Sequence, residues 1–426
     1  MTYANQSDFF EALGLPTVNT VQFTDRACGS GKTKAMYKSF EHGKKYFVVV
    51  PSIIERDDLI KSDEKNGVPF SKPKEGSYQD DCGNNRRSLL VGLADLIEDG
   101  CNIVCTHTLF DMVNINDFDL SDYHVIIDEV FDCVKGFSGP SDKLFEEHWV
   151  ANGYATLDQT GKVIPTDKWL SEGDEGFKHK LLPDAKRGRL HRSGNGFFVT
   201  VVPVELFTSN RSCTVMTYLA EGSLMAMYLR KLGVPYEISK SDNIDKSARQ
   251  AARERLNITY LNLALTGSQG HGQQGEWVRN PTIRKKISTK LKNTRARHMK
   301  GISPENIIVT CRKSLWLDKN GEISSFAKGT RLAKAKWLHK STKGTNKYRK
   351  CTHAVHIYDL NLHPAVQKYL DMSEDQQDLW RQSELIQWLY RTDLRNYDSK
   401  QQIHLHITSM AMMKLVENWL SDDPIQ

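Results

Sequence analysis

No apolar run in the 426 residues approaches the roughly 18 needed to span a bilayer, which excludes a transmembrane helix. The first residues lack a signal-peptide pattern too, because Ser7, Asp8 and Glu11 interrupt any apolar core, and a cytoplasmic location is expected. Eight cysteines are present without a single C-x-x-C pair. Their irregular spacing argues against zinc or a disulfide frame and for buried thiols. No repeat of solenoid length occurs. Acidic residues are missing from two stretches, 279–300 and 328–350, each of which carries nine Lys or Arg. The net charge is only +6, so the positive charge is concentrated, and two such runs in the second half favour a track for a polyanion.

What is present is organised by Arg26-Ala27-Cys28-Gly29-Ser30-Gly31-Lys32-Thr33. Val21-Gln22-Phe23 before it reads as a strand and Lys34-Ala35-Met36-Tyr37 after it as a helix, so the glycines fall at a strand-to-helix turn. Backbone N–H groups of Gly29, Ser30 and Gly31, added to the positive end of the helix, can wrap a polyphosphate. Lys32 neutralises the outer phosphates and Thr33 offers a hydroxyl to Mg²⁺. Arg26 stands where the full G-x-x-x-x-G-K-[ST] pattern has its first glycine, which points away from kinases and small GTPases.

The rest of the first half alternates. Tyr46-Phe47-Val48-Val49-Val50 reads as a buried strand, 88–98 as a helix, 102–105 as a strand ending at Thr106-His107, and 124–127 as a strand ending at Asp128-Glu129. That is the pattern of a parallel α/β sheet, whose carboxyl edge binds ligands. Asp128 is assigned to Mg²⁺ through water and Glu129 to the attacking water. Residues 133–192 break the pattern and read as an insertion of short elements and loops, followed by a hairpin turn at Gly194-Asn195-Gly196. The second half has strands at 306–310, 353–358 and 403–407 and helices at 382–394 and 410–420. On the first of these helices Gln387, Arg391 and Arg395, four apart, are expected to form one stripe suited to a γ-phosphate.

Two α/β halves, with G-S-G-K-T and D-E-V-F in the first and a basic face in the second, resemble the DExx-box helicases of superfamily two. The resemblance covers most of the chain and is strongest to compact helicase-like proteins encoded by bacteriophages. Gly29, Gly31, Lys32 and Thr33 look like motif I, Pro51-Ser52 like motif Ia, Thr106-His107 like motif Ib and Asp128-Glu129 like motif II. Thr217 stands where motif III couples nucleotide to track. Lys343-Gly344-Thr345-Asn346 looks like motif V, with Lys343 and Asn346 in place of Arg and Asp. Gln387, Arg391 and Arg395 look like motif VI, with the arginines four rather than three apart, which makes Arg391 the better arginine finger.

The resemblance implies two RecA-like P-loop domains in tandem, 1–234 with an insertion at about 133–192, and 235–426. It implies ATP and Mg²⁺, with the nucleotide contacted by Lys32, Thr33, Asp128 and Glu129 from the first domain and by Gln387 and Arg391 from the second. It also implies nucleic-acid contacts from Ser52, Thr106, His107, Lys313, Lys343, Thr345 and Asn346. DNA is favoured over RNA and no membrane partner is expected. Trp277, Trp337 and Tyr348 are candidates for base stacking. The insertion and the loop at 267–300 are candidates for a strand-separating wedge or a site for a replication partner. Two other readings are a viral packaging-type motor ATPase, which needs a nuclease carboxylate cluster in the second half, and a non-hydrolysing nucleic-acid-binding module with a degenerate ATPase site.

Overall fold

The computed structural model describes residues 19–79, 85–113, 117–263, 276–340, 342 and 346–421. The glycine-rich loop at 267–275, Lys343, Gly344 and Thr345 therefore lie outside the described residues. The chain forms two compact units. One gathers Met1–Asp25, Gly31–Ser239 and Leu362–Glu374, and the other Arg26–Ser30, Lys240–Asn361 and Asp375–Gln426. No helix among the described residues is long and apolar enough to cross a membrane.

The first unit is built on strands β1 (Val21–Asp25), β2 (Lys45–Val50), β3 (Ile103–Thr106), β4 (Tyr123–Asp128), β5 (Ser212–Thr217) and β6 (Tyr236–Lys240), with helices α1 (Lys32–Lys38), α2 (Ile53–Lys61), α3 (Leu89–Glu98) and α4 (Leu224–Lys231). The sheet order is β6-β1-β5-β4-β2-β3, and the five strands from β1 to β3 in that order run parallel. Phe47, Val48, Val49 and Val50 are all buried, as a strand covered on both faces requires, and this is why the strand reads as an unbroken apolar run. Strand β5 lies between β1 and β4, pairing Asp25 with Thr217 and Met216 with Asp128. The phosphate loop after β1 and the acids after β4 thus open at one edge of the sheet.

The insertion lies between β4 and β5. An antiparallel sheet of Leu190–Gly194, Phe197–Val201 and Val134–Ser138 and a small hairpin, Ala155–Leu157 with Val163–Pro165, enclose a core of Phe145, Trp149, Trp169 and Phe198. The expected turn is present, with Gly194, Asn195 and Gly196 at φ 79, 55 and 70°. Residues from late in the chain also pack here: Ser193 Oγ donates to the Ala365 carbonyl at 3.2 Å, and a Cβ on Gly136 would stand 2.7 Å from His363 Nδ1.

The second unit has strands β7 (Leu256–Tyr260), β8 (Ile307–Thr310), β9 (Lys336–Trp337), β10 (His353–His356) and β11 (Ile403–Ile407) in the order β7-β11-β10-β8-β9, all parallel. Its helices include α5 (Asp242–Arg255), α6 (Pro281–His298), α7 (Glu374–Leu389) and α8 (Met410–Leu420). Two parallel α/β units with an insertion in the first are the fold class expected. The first basic run, expected as part of a loop, is instead helix α6 over most of its length. Ile283, Ile287 and Leu291, one turn apart, dock it on the core, which leaves Lys285, Lys286, Lys290, Lys292 and Arg297 exposed. Trp277 is buried in that core and offers no stacking face.

Four histidines sit in or on this second sheet. His353 and His404 are register partners with stacked rings 4.7 Å apart, His406 stacks 6.0 Å from His353, and His356 meets Trp388 edge-on at 5.2 Å. Burial, helped by His404 at His353, by Lys340 at His356 and by His353 at His406, pushes His353 down to about 4 and His356 and His406 down to about 3. These rings stay neutral in the fold and take protons at about pH 6.5 when the chain unfolds. Between those values the unfolded state binds more protons, so stability drops as the pH drops, by on the order of 1.4 kcal/mol per pH unit for each ring. Urea unfolding at pH 7.5 and pH 5 should show a lower midpoint at pH 5. His406→Phe should reduce that drop, and an equal drop in the variant would remove His406 from the explanation.

Candidate functional site

The phosphate loop turns through Gly29 and Gly31, at φ 86 and 82°, a left-handed region that glycine enters without cost. Gly31 caps α1; its carbonyl accepts from Ala35 N at 2.9 Å, and Ser30 N donates to the Ala27 carbonyl at 3.2 Å. Lys32 follows at the first position of the helix and is 8% exposed. A residue the sequence reading missed braces the loop. Buried Asp25, at the end of β1, accepts from Leu219 N at 2.8 Å and Ala220 N at 3.1 Å, which ties the start of the loop to the turn after β5. The available signal was an acid closing an apolar strand one residue before the loop.

Across β5 stand the acids. Thr33 Oγ1 donates to Asp128 Oδ2 at 3.0 Å although the two lie 95 positions apart in sequence. Asp128 is 4% exposed. A hydroxyl and a carboxylate side by side are the hard oxygen donors that Mg²⁺ takes, so the residues present fit that ion. Glu129 holds φ +65°, a left-handed conformation that costs a non-glycine residue roughly 1–3 kcal/mol and tends to occur at functional sites. Its N–H donates to the Met216 carbonyl at 2.9 Å, so β5 fixes that backbone. Thr217 is fully buried, and its hydroxyl meets no partner among the described residues.

The residues assigned to nucleic acid in this unit have other attachments. His107 Nε2 lies 2.9 Å from the Asp128 carbonyl, with its ring 5.2 Å from Phe131, so it supports the acid turn. Thr106 Oγ1 caps the short helix His107–Phe110 through Leu109 N at 3.4 Å. Ser52 caps α2, accepting from Glu55 N at 3.3 Å and donating to Glu55 Oε2 at 3.0 Å.

In the second unit the expected stripe of Gln387, Arg391 and Arg395 does not form. Helix α7 ends at Leu389: Arg391 N and Thr392 N turn to the carbonyls of Trp388 and Leu389, each at 3.0 Å, and Thr392, in extended backbone, caps a separate 3-10 turn, Asp393–Arg395, through Leu394 N. Gln387 remains on the helix, buried, with Nε2 donating to Ser383 Oγ at 3.0 Å. Arg395 is half-buried within the turn. Arg391 is 3% exposed, and its Nε and Nη2 meet no acceptor among the described residues. Removing a guanidinium from water without satisfying its donors is costly.

What holds this turn in place is buried Arg255, at the end of α5. It donates to Asp393 Oδ2 at 2.7 Å, to the Asp393 and Asn396 carbonyls at 2.8 Å each and to the Gln401 carbonyl at 3.0 Å. Nothing in the sequence singles it out, since α5 reads as a charged surface helix.

Lys313 lines a cleft of about 460 Å³ at the carboxyl ends of β8, β9 and β10. Arg312, Lys319 and Lys340 share it with one acid, Asp318, whose carboxylate is engaged by Asn320 N at 2.8 Å and Glu322 N at 2.9 Å. Lys340 Nζ lies 5.6 Å from the Tyr358 ring and 5.0 Å from the Trp380 ring, which holds its charge over aromatic faces. Asn346 is exposed. Of the remaining stacking candidates, half-buried Trp337 donates through Nε1 to the Cys311 carbonyl at 3.1 Å, and half-buried Tyr348 has Lys336 over its ring at 5.8 Å.

Residues 250–420 match the family described as the YonV C-terminal Rossmann-like domain. The chain is 25% identical over 434 residues to the "SPbeta prophage-derived uncharacterized protein YonV" of Bacillus subtilis strain 168, covering 94% of this chain and 99% of that protein. Among solved structures, S. tokodaii Xpd4 aligns at 12% identity with a TM-score of 0.39, over 95% of both chains. The helicase MrfA, bound to DNA and AMPPNP, aligns at 12% identity with a TM-score of 0.36, over 99% of this chain and 51% of MrfA. Both structural likenesses are loose and transfer no activity to this chain.

Proposed function

We propose that the chain is an ATP-dependent helicase or translocase acting on nucleic acid, with two RecA-like domains, 1–234 and 235–426, contributing to one catalytic cycle. The observation that carries this reading is the 3.0 Å hydrogen bond from Thr33 to Asp128, which joins a phosphate loop to an acidic turn at one sheet edge. Glu129 beside it gives the loop water, rather than a substrate hydroxyl, as acceptor. Lys32 neutralises the outer phosphates, and Gln387 and Arg391 receive the γ-phosphate, with Arg395 as the weaker candidate. Thr33, and Asp128 through water, would hold Mg²⁺, which would supply positive charge against the phosphates.

The track is assigned to phosphate contacts, which fix position without reading sequence. Lys313 and its basic cleft, together with Lys343, Thr345 and Asn346, supply them from the second domain, and Ser52, Thr106 and His107 from the first. DNA is favoured over RNA, and a role in phage replication or recombination is supported by the prophage origin of the Bacillus relative. The insertion would then serve a replication partner or act as the wedge.

Fluorescence anisotropy of a labelled single strand from 50 to 200 mM salt tests the track. Affinity should fall steeply over this range, and Lys313→Ala with Lys340→Ala should flatten the log–log slope by roughly 1.4, the value for two phosphate contacts on a single strand. An unchanged slope would remove the cleft from the track.

A further inference from the structure

The insertion carries a second cleft, of about 570 Å³, within the range of small-molecule sites (about 300–1,000 Å³). One wall comes from the insertion and the other from residues 203–205 before β5, from Tyr228 of α4, from Leu232 just after it and from Tyr369. Three cations line it: Lys162, Lys186 and Arg187. None of the three makes an ion pair or side-chain hydrogen bond among the described residues. An isolated bridge sets Lys162 beside His191. Gly188, at φ +66°, lies beneath the ammonium, where a Cβ would stand 3.2 Å from Lys162 Nζ. Of the two acids at the cleft, Asp158 is turned into its own loop, accepting from Thr160 N and Oγ1 at 2.7 Å and from Lys162 N at 2.9 Å. Glu205 is exposed on the opposite wall.

His191 adds a second requirement. It is 8% exposed, and its Nδ1 meets no hydrogen-bond partner among the described residues. Burial first, and Lys162 second, hold it down to about 4, while a hydrogen bond with the Thr160 backbone favours the protonated ring. The ring is therefore neutral at pH 7. A neutral ring has one N–H and one acceptor nitrogen, and Nδ1 is left unmatched among the described residues. A hydroxyl, which both donates and accepts, matches Nδ1 in either tautomer. Around these polar groups, Val204, Leu232, Tyr228 and Tyr369 supply apolar and aromatic surface.

We propose that this cleft binds a nucleotide unit with a terminal phosphate, its phosphate on Lys162, Lys186 and Arg187 and a sugar hydroxyl hydrogen-bonded to His191 Nδ1. A free mononucleotide and the 5′ end of a strand present the same chemistry. The assignment does not rest on the phosphate loop, so both sources are tested in the full chain carrying Lys32→Ala. Calorimetric titrations use adenosine monophosphate, a 5′-phosphorylated trinucleotide and the same trinucleotide with a 5′-hydroxyl.

Binding of the monophosphate that is sensitive to the cleft's cations identifies a free nucleotide. Tighter binding of the phosphorylated trinucleotide than of its hydroxyl form identifies a strand end. In either case Lys162→Ala with Arg187→Ala should weaken that binding at least about tenfold, and His191→Asn by several-fold. If the double variant melts early, Lys186→Glu, at an exposed position, replaces it and should weaken the same binding at least about tenfold. No phosphate-dependent binding by either probe, or an affinity that the folded cation variants leave within about twofold, overturns the proposal.

Discussion

Lys32→Ala should lower ATP turnover at least about a hundredfold while the chain stays folded. A preorganised charge aimed at developing negative charge is worth about 10²–10³ in rate, and Lys32, the first residue of α1, stands immediately after the left-handed Gly31. Alanine continues the helix at least as well as lysine. The loop N–H groups remain, so nucleotide binding should weaken less than turnover. Phosphate release and a melting curve on the same preparation check this. Full turnover in a folded variant would take the loop out of the chemistry.

Arg391→Met should move activity and stability in opposite directions. An arginine finger is worth about 10³–10⁵ in rate, so turnover should fall roughly a thousandfold. Yet the guanidinium is 3% exposed with two donor nitrogens unmatched among the described residues. An unsatisfied buried polar group costs about 1–3 kcal/mol, more when charged, and methionine keeps most of the length without that cost. Chemical denaturation without nucleotide should therefore show a gain of roughly 1–3 kcal/mol. Lower stability in Arg391→Met would mean that the guanidinium is satisfied in the resting fold, and the finger assignment would lose its physical basis. Arg255→Ala offers a contrast: it breaks a buried ion pair and three carbonyl contacts to the 393–401 segment, and should lose both activity and stability.

The first unit was legible because a sheet covered on both faces writes its strands as apolar runs, so 46–50 and 124–127 could be read directly and the glycine loop and acidic pair placed at the same sheet edge. The proximity of Thr33 and Asp128 follows from that topology. What the sequence hid depends on contacts far apart in the chain. The Gln387–Arg391–Arg395 stripe failed because α7 ends at Leu389 and the extended backbone of Thr392 opens a separate turn, and four-residue spacing carries no information about a cap. Arg255 reaches partners 138 to 146 positions away, and Asp25 reaches 194 and 195. The first basic run was misread as loop because only three apolar residues, widely spaced among lysines, mark the buried stripe of α6. The two-residue strand β9, inside the second run, is too short to carry a period.

The most direct test is ATP hydrolysis by the parent chain with and without single-stranded DNA, beside Lys32→Ala and Arg391→Met. A nucleic-acid motor predicts turnover that rises when DNA is added and collapses in both variants. Turnover indifferent to nucleic acid, or surviving both substitutions, would contradict it.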